Sequence, residues 1–173
     1  MGSAPVPRCS RNQTAEAITP HLQFAHAIPA LNGDGLLPVG LHACTLPEVP
    51  ARFGAFQGSD QRSRLCLQLA DLVSAMRRCG FIEALVLDGS FVTAKAAPND
   101  IDLLAVLRPG HDFERDLPMP EYALVSRSIL RRRYGFDVIV AERDSQLYRR
   151  YGDFFSRVRD NPSATKGLLR VSL

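Results

Sequence analysis

Two short stretches, Leu87-Asp88-Gly89-Ser90 and Asp100-Ile101-Asp102-Leu103, stand nine residues apart and carry most of the information in this chain. Apolar runs adjoin them, Ala84 to Leu87 at the first and Ile101 to Leu107 at the second, and both runs are predicted to be buried strands. Because side chains alternate between the two faces of a strand, Asp100 and Asp102 should project from one face and Ile101 from the other. The sequence therefore predicts two carboxylates that converge on one point.

This pair of carboxylates suggests a metal site. Like charges at close range repel and shift each other's pKa values, and a divalent cation between them removes that cost. Carboxylate oxygens suit hard cations, and magnesium typically takes one or two protein carboxylates and completes its coordination with water and substrate phosphates. We therefore expect Mg²⁺ or Mn²⁺ at Asp100 and Asp102, beside a nucleoside triphosphate.

Gly89 and Ser90 provide a candidate phosphate contact. A glycine at a strand-to-helix turn lets backbone amides approach an anion, the N-terminus of the following helix favours negative charge, and Ser90 adds a hydroxyl donor. An isolated Gly-Ser pair is more often a plain turn and helix cap. Its combination with Asp-x-Asp at this spacing favours the phosphate interpretation.

The length and composition of the chain indicate a globular protein of one domain. A chain of 173 residues has room for one domain of ordinary size, and 46% hydrophobic with 23% charged residues is typical of a globular protein. No apolar run approaches the roughly 20 residues of a membrane span and the N-terminus lacks a secretion signal, so we expect a cytoplasmic protein with no membrane partner. Widely spaced cysteines predict reduced thiols rather than a zinc site: Cys9, Cys44, Cys66 and Cys79.

The first part of the chain is predicted to be irregular before a long helix. Residues 1–35 contain prolines and glycines without a sustained period and are predicted to be a flexible N-terminal extension, with one domain over residues 36–173. Leu36 to Phe53 should be irregular, with one helical turn beginning near Thr45. A helix is predicted from Ser59 or Asp60 to Gly80, because apolar residues recur at helical spacing: Leu65, Leu69, Leu72, Val73 and Met76.

The second half is predicted to continue the alternation of helices and strands. We expect a loop over Arg108 to Pro120, a helix from Glu121 to Tyr134, a strand over Phe136 to Val140, and a helix over Arg143 to Val158. A turn at Asp160-Asn161-Pro162 should precede Leu168 to Leu173, whose alternation predicts an edge strand. The expected fold class is α/β (α+β), a mixed β-sheet flanked by helices.

Gly89-Ser90, a short spacer and Asp100-Ile101-Asp102 resemble the signature of the polymerase-β-like nucleotidyltransferase superfamily. More closely, the runs Asp88 to Lys95 and Pro98 to Asp102 resemble a family of small uncharacterised bacterial nucleotidyltransferase-like proteins. Other landmarks also match: Leu37-Pro38, Gly40-Leu41-His42, Arg133-Tyr134-Gly135, Phe154-Phe155 and Lys166-Gly167. The resemblance covers about residues 36–173 and implies a minimal nucleotidyltransferase fold.

The resemblance also implies a site and a reaction. In the superfamily the Asp-x-Asp pair holds two magnesium ions and a carboxylate on a later strand completes one metal site, the position where Asp137 stands. Asp100, Asp102 and Asp137 are thus implied as catalytic metal ligands. Gly89, Ser90 and Lys95 are implied as nucleotide contacts. The implied reaction is transfer of a nucleoside monophosphate from a nucleoside triphosphate to an unknown acceptor, a protein, an RNA or a small molecule, by in-line attack on the α-phosphate.

Some positions allow two interpretations. Many active relatives continue the Gly-Ser pair with Ala-Arg-Gly, whereas Thr93-Ala94-Lys95 occupies the corresponding helix here. Lys95 is then either a phosphate contact or a solvated lysine, and Asp137 either a metal ligand or a turn cap. Lys166 either touches nucleotide or is an ordinary surface lysine.

The basic clusters at Arg131 to Arg133 and at Arg149 to Arg150 are more typical of a solvated helix face than of a nucleic-acid track. Aromatic residues are not interleaved between these arginines at stacking intervals. The net charge of +3 is compatible with a polyanionic partner but does not by itself indicate one.

Two functions of different class remain open. One is a metal-dependent nucleotidyltransferase. The alternative is a nucleotidyltransferase-like binding protein, such as an antitoxin-type regulator of a partner protein encoded nearby, with little or no catalysis. All three carboxylates are present, which favours catalysis, because a binding module has no need to gather groups that repel each other.

Overall fold

Five strands form the central sheet of the computed structural model, which describes residues 28–54, 60–158 and 161–173. The elements in chain order are β1 (Leu41–Cys44), α1 (Glu48–Phe53), α2 (Gln61–Cys79), β2 (Ile82–Asp88), a 3-10 turn (Ser90–Val92), β3 (Asp102–Leu107), α3 (Met119–Tyr122), α4 (Arg127–Tyr134), β4 (Asp137–Glu142), α5 (Gln146–Phe155), β5 (Arg157–Val158), β6 (Asn161–Thr165) and β7 (Leu168–Ser172). The strand order in the sheet is β1-β7-β2-β3-β4.

The sheet is mixed. Strand β2 is antiparallel to both of its neighbours, β7 and β3, whereas β4 runs parallel to β3 and β1 runs parallel to β7. β2 is buried along nearly its whole length because both of its faces are covered, which explains its continuous apolar run. The predicted α/β class with a mixed sheet flanked by helices is confirmed.

Helices cover both faces of the sheet. On one face, apolar side chains of α1, α2 and α4 pack against alternate residues of the strands, among them Leu85, Leu87 and Leu103. On the other face, Phe155, Tyr148 and Tyr151 of α5 pack over a second set of strand residues: Ala84, Val86, Leu104, Val106, Ile139 and Ala141. The core therefore has three layers, with the sheet in the middle.

Helix α2 confirms the prediction from its apolar spacing. All five apolar residues that predicted it are buried, Asp60 lies at its N-cap, and Gly80 ends it in the left-handed conformation with a φ of 74°. The predicted turn of helix near Thr45 is also found as α1, where the backbone N–H and the hydroxyl of Thr45 both donate to Glu48 Oε2, at 2.6 and 2.7 Å.

Two predicted helices have different limits in the structure. The helix predicted from Glu121 to Tyr134 is two helices, α3 and α4, because Ser126 adopts an extended conformation and starts a new helix as its N-cap. The helix predicted from Arg143 to Val158 begins later, where Ser145 Oγ accepts from the Tyr148 N–H at 3.1 Å, and it ends at Phe155. Residues Arg157–Val158 then form β5.

The C-terminal strand prediction was right in type and wrong in place. β7 lies inside the sheet, between β1 and β2, and not at an edge. The edge is β1, a strand in the segment predicted to be irregular, and its parallel partner β7 is distant in sequence. Of the predicted turn at residues 160–162, residue 160 lies outside the described residues, while Asn161 and Pro162 belong to β6, which pairs with β5.

The helix predicted to follow Gly89-Ser90 is only the 3-10 turn Ser90–Val92. Thr93 is already extended and forms an isolated bridge with Leu36, so Thr93-Ala94-Lys95 is not helical. Of the predicted N-terminal extension, residues 1–27 lie outside the described residues, whereas Ile28 and Leu31 pack against the core. The domain boundary at residue 36 stays a prediction. None of the helices in the described ranges is long and apolar enough to cross a membrane.

Candidate functional site

Three aspartates stand side by side at one end of the sheet, and we call them the aspartate row: Asp88, Asp102 and Asp137. Asp88 is in register with Asp102 across β2 and β3, and Asp102 is in register with Asp137 across β3 and β4. Residues two positions along from each of them pack beneath α5, so all three side chains project from the face that α5 covers: Val86, Leu104 and Ile139. At about 4.8 Å between neighbouring strands, the row spans roughly 10 Å.

Asp102, in the middle of the row, rests against Gly89. Gly89 has a φ of 81° and a ψ of −165°, a conformation essentially restricted to glycine. A Cβ atom at this position would collide with Asp102 Oδ2 and would lie 3.3 Å from its Cγ. The Gly-Ser turn and the Asp-x-Asp stretch, which the sequence paired by spacing alone, are therefore in direct contact.

Asp100 precedes β3, which begins at Asp102. Asp100 is exposed, Ile101 is completely buried and Asp102 is half-buried. This alternation is the one expected if both carboxylates lie on the same face and Ile101 points into the core on the other.

Lys95 has an exposed side chain, and its described hydrogen bonds are made by its backbone. No described contact joins its ammonium group to the aspartate row. The nucleotide-binding role of Lys95 stays a prediction.

Asp137 is held by an arginine. Arg127 Nε and Nη2 donate to the two carboxylate oxygens of Asp137, each at 2.5 Å, in a bidentate pair. These hydrogen bonds, opposed by partial burial and assisted by the charges of Arg127 and Arg131, hold the pKa of Asp137 below its usual value. The third carboxylate implied by the resemblance thus carries a counter-ion supplied by α4.

Asp88 is held by a lysine. Lys166 is buried, and its ammonium group donates to Asp88 Oδ1 and, at 3.1 Å, to the carbonyl oxygen of Phe155. Burial lowers the pKa of Lys166 to about 8. Lys166 is therefore not the surface lysine that the sequence allowed, and it ties the aspartate row to the C-terminal end of α5.

The donor set suits a hard cation, but three carboxylates are not gathered around one point. Across the three described ranges, no group of three or more His, Cys, Asp or Glu side chains is arranged to hold a metal ion. Asp137, the expected third ligand, faces Arg127. Magnesium needs only one or two protein carboxylates, so the pair Asp100 and Asp102 stays a predicted metal site, and the full ligand set with Asp137 also stays a prediction.

Arg62 of α2 holds the segment that follows the Gly-Ser turn in place, and it is not among the site residues that the sequence predicts. Its buried guanidinium group lies over the rings of Phe53 and Phe91, 5.9 and 5.2 Å from their centroids. It donates to four backbone carbonyls: Phe53 O at 3.1 Å, Phe91 O at 2.8 Å, Thr93 O at 2.8 Å and Lys95 O at 2.6 Å. Burial lowers the pKa of Arg62.

These bonds fix the segment that follows the Gly-Ser turn against α1 and α2. A signal for Arg62 was available, because it lies three residues before Leu65 on the apolar face of α2.

The sequence model of a family described as a family of unknown function, DUF6932, matches residues 29–172. The match extends over the whole central sheet and all five helices. Among the curated proteins and among the solved structures, no protein matches.

Proposed function

We propose that this chain, which belongs to the DUF6932 family of unknown function, is a metal-dependent nucleotidyltransferase that acts on a nucleoside triphosphate. The acceptor of the nucleoside monophosphate is a protein, an RNA or a small molecule. The observation that carries the proposal is the contact of the Asp102 carboxyl group with the bare Cα of Gly89, together with the register of Asp102 and Asp137 on adjacent parallel strands. The carboxylates and the Gly-Ser turn, which is the candidate phosphate contact, are thereby brought to one end of the sheet.

In this proposal Asp100 and Asp102 hold Mg²⁺ or Mn²⁺. When bound, the metal compensates the charge of the phosphates and polarises the phosphorus-oxygen bonds. Gly89 leaves room for the Asp102 carboxyl group beside the turn, and the backbone N–H groups of the turn and the Ser90 hydroxyl donate to phosphate oxygens.

The acceptor hydroxyl would attack the α-phosphorus as the bond from that phosphorus to the leaving pyrophosphate breaks, and Asp137 would accept the hydroxyl proton at a carboxylate oxygen. Arg127 suppresses its basicity while the pair is intact, because it holds the pKa of Asp137 below its usual value. Release of Arg127 from Asp137 frees the carboxylate and leaves a planar guanidinium group able to bind a phosphate. A triphosphate that competes for Arg127 would thus activate the base when it binds.

The test measures Mn²⁺ binding by electron paramagnetic resonance and transfer of labelled nucleoside monophosphate to acceptors in a cell lysate. We expect the wild-type chain to bind Mn²⁺ with at least one of the four triphosphates and to transfer label. Asp102→Asn should weaken Mn²⁺ binding about tenfold or more and reduce transfer about a hundredfold or more. Asp71→Asn, an exposed aspartate of α2, is the matched control and should match wild type.

If wild type binds no Mn²⁺ with any triphosphate, or if Asp102→Asn binds it as well as Asp71→Asn does, these carboxylates are not a metal site.

The second candidate is a nucleotidyltransferase-like binding protein, such as the antitoxin-type regulator of a partner protein encoded nearby. It is favoured by the two ion pairs in the aspartate row, since Asp88 and Asp137 are each neutralised by a cation of the chain itself. Nucleotide binding without label transfer, combined with a stable complex with a co-expressed partner, would support this function over catalysis. The cytoplasmic location stays a prediction under either function.

A further inference from the structure

A second, strongly basic site lies on the outer side of α5. A cavity of about 460 Å³ is lined by residues of this helix and of β5: Gln146, Arg149, Arg150, Asp153, Phe154 and Arg157. Three of these side chains are cationic and one is anionic. The local charge is therefore positive, on a chain whose total charge is only +3.

Among the described residues, the arginines of this basic pocket have no carboxylate partner. In the parts of the chain that the structure describes, no ion pair involves Arg149, Arg150 or Arg157, whereas Arg127, Arg143 and Arg170 each pair with an acidic side chain. Even Asp153, in the same lining, lies beyond ion-pair distance of them. Guanidinium groups are suited to bidentate binding of phosphate oxygens. The pocket therefore presents groups that can bind a phosphorylated ligand.

Phe154 adds an aromatic face to the pocket. Its side chain is 65% exposed although it is large and apolar, and it packs edge-on against Tyr151, with 6.4 Å between the ring centroids. On the helix, Phe154 lies four residues after Arg150 and therefore on the same side. An exposed ring between phosphate-binding groups suits a ligand that carries both phosphates and planar bases.

We propose that this pocket binds single-stranded nucleic acid, with the arginines on successive phosphates and Phe154 stacked on a base. In the sequence, Arg149 and Arg150 are more typical of a solvated face, because no aromatic residue is interleaved between the arginines. In the fold, an aromatic ring and a third arginine do lie beside this pair. Phe154 and Arg157, which follow Arg150 in the chain, line the same pocket.

The proposal goes beyond the proposed transferase activity and does not depend on it. The two sites nevertheless adjoin, because Phe155, the neighbour of Phe154, accepts a hydrogen bond from Lys166, which in turn binds Asp88 of the aspartate row.

The test is fluorescence anisotropy of the full chain with a labelled single-stranded RNA of about 12 nucleotides. With three phosphate contacts, the logarithm of affinity should fall with the logarithm of salt with a slope of about −2, or about twentyfold between about 50 and 200 mM salt. Arg150→Gln should reduce this slope by about 0.7. Phe154→Leu, which stays apolar but cannot stack, should weaken binding about fivefold or more.

Matched controls lie outside the pocket. Arg132→Gln removes an exposed arginine of α4, and Phe113→Leu removes an exposed phenylalanine from the loop before α3. Both should bind as wild type does, and thermal melts should show that all four variants remain folded.

Three results would overturn the proposal. One is absence of binding at about 100 μM protein and low salt, where even non-specific binding is normally seen. Another is equal loss of affinity in the pocket variants and the controls. The third is inorganic polyphosphate displacing the RNA while Phe154→Leu binds RNA normally, which would mean that the pocket recognises charge alone.

Discussion

At the scale of single residues, Gly89 is the position on which the candidate active site most depends. Its backbone conformation is closed to other residues, and its missing side chain makes room for the Asp102 carboxyl group. Any substitution at Gly89 should therefore destabilise the fold for two separate reasons, strain in the backbone and a collision of the new side chain with the Asp102 carboxylate.

Gly89→Ala should lower the free energy of unfolding by roughly 1–3 kcal/mol and should weaken Mn²⁺ binding, because Asp102 must move. Gly152→Ala in the interior of α5 is the control. A Cβ there meets nothing within 4 Å, so alanine should raise stability by about 0.5–1 kcal/mol. Urea unfolding of both variants gives the comparison, and equal effects of the two substitutions would contradict the proposed contact.

Arg127→Gln should raise the pKa of Asp137, because the two hydrogen bonds and the charge that lower it are removed. A carboxyl group whose pKa is lower in the folded than in the unfolded state stabilises the fold above the unfolded value, near 3.8 here, and this contribution disappears as the pH falls through the folded value. The stability difference between wild type and variant should therefore shrink in acid.

Carbon-13 NMR titration of the Asp137 carboxyl group measures the shift, with Arg132→Gln as control. An unchanged Asp137 titration in Arg127→Gln would show that the pair does not exist in solution.

At the scale of elements, Arg62 joins α1, α2 and the segment after the Gly-Ser turn. Arg62→Met keeps the length of the side chain but leaves four buried or half-buried carbonyls without their donor, so the free energy of unfolding should fall by roughly 3 kcal/mol or more. Arg64→Met, two positions further along and on the exposed side of α2, loses one hydrogen bond to Gln61 and should change stability by less than about 0.5 kcal/mol. Similar losses in the two variants would refute the role of Arg62.

The limits of elements were harder to predict than their existence. Periodicity located α2 because its apolar face, from Leu65 to Met76, packs into the core. Periodicity wrongly predicted α3 and α4 as one helix, because the break between them depends on the conformation of Ser126. The alternation in β7 wrongly predicted an edge strand, because alternation does not tell which neighbours a strand will have.

At the scale of the whole molecule, the three-layer core shields the thiol of Cys44. Burial, with a smaller contribution from the charge of Glu48, raises the pKa of Cys44 to about 12, so almost no reactive thiolate is present at neutral pH. We expect Cys44 to be alkylated by iodoacetamide only as fast as the molecule opens, far more slowly than in about 8 M urea. Peptide mapping by mass spectrometry follows this cysteine separately, and rapid labelling of Cys44 in the native protein would show that β1 and α1 do not form a stable part of the fold.

The sequence by itself determined the strands on either side of Gly89-Ser90, the helix α2, and the candidate pair Asp100 and Asp102, because apolar periodicity and a local spacing encode them. Asp137 became a candidate only through the resemblance to a known superfamily. Only the tertiary structure decided that Asp88 completes the aspartate row, that Lys166 and Arg127 neutralise its two ends, and that Arg62 holds the turn in place. These partners lie 78, 10 and 29 residues apart in the chain. Strand register and the packing of helices on the sheet bring these partners together, and no local pattern in the sequence predicts either of them.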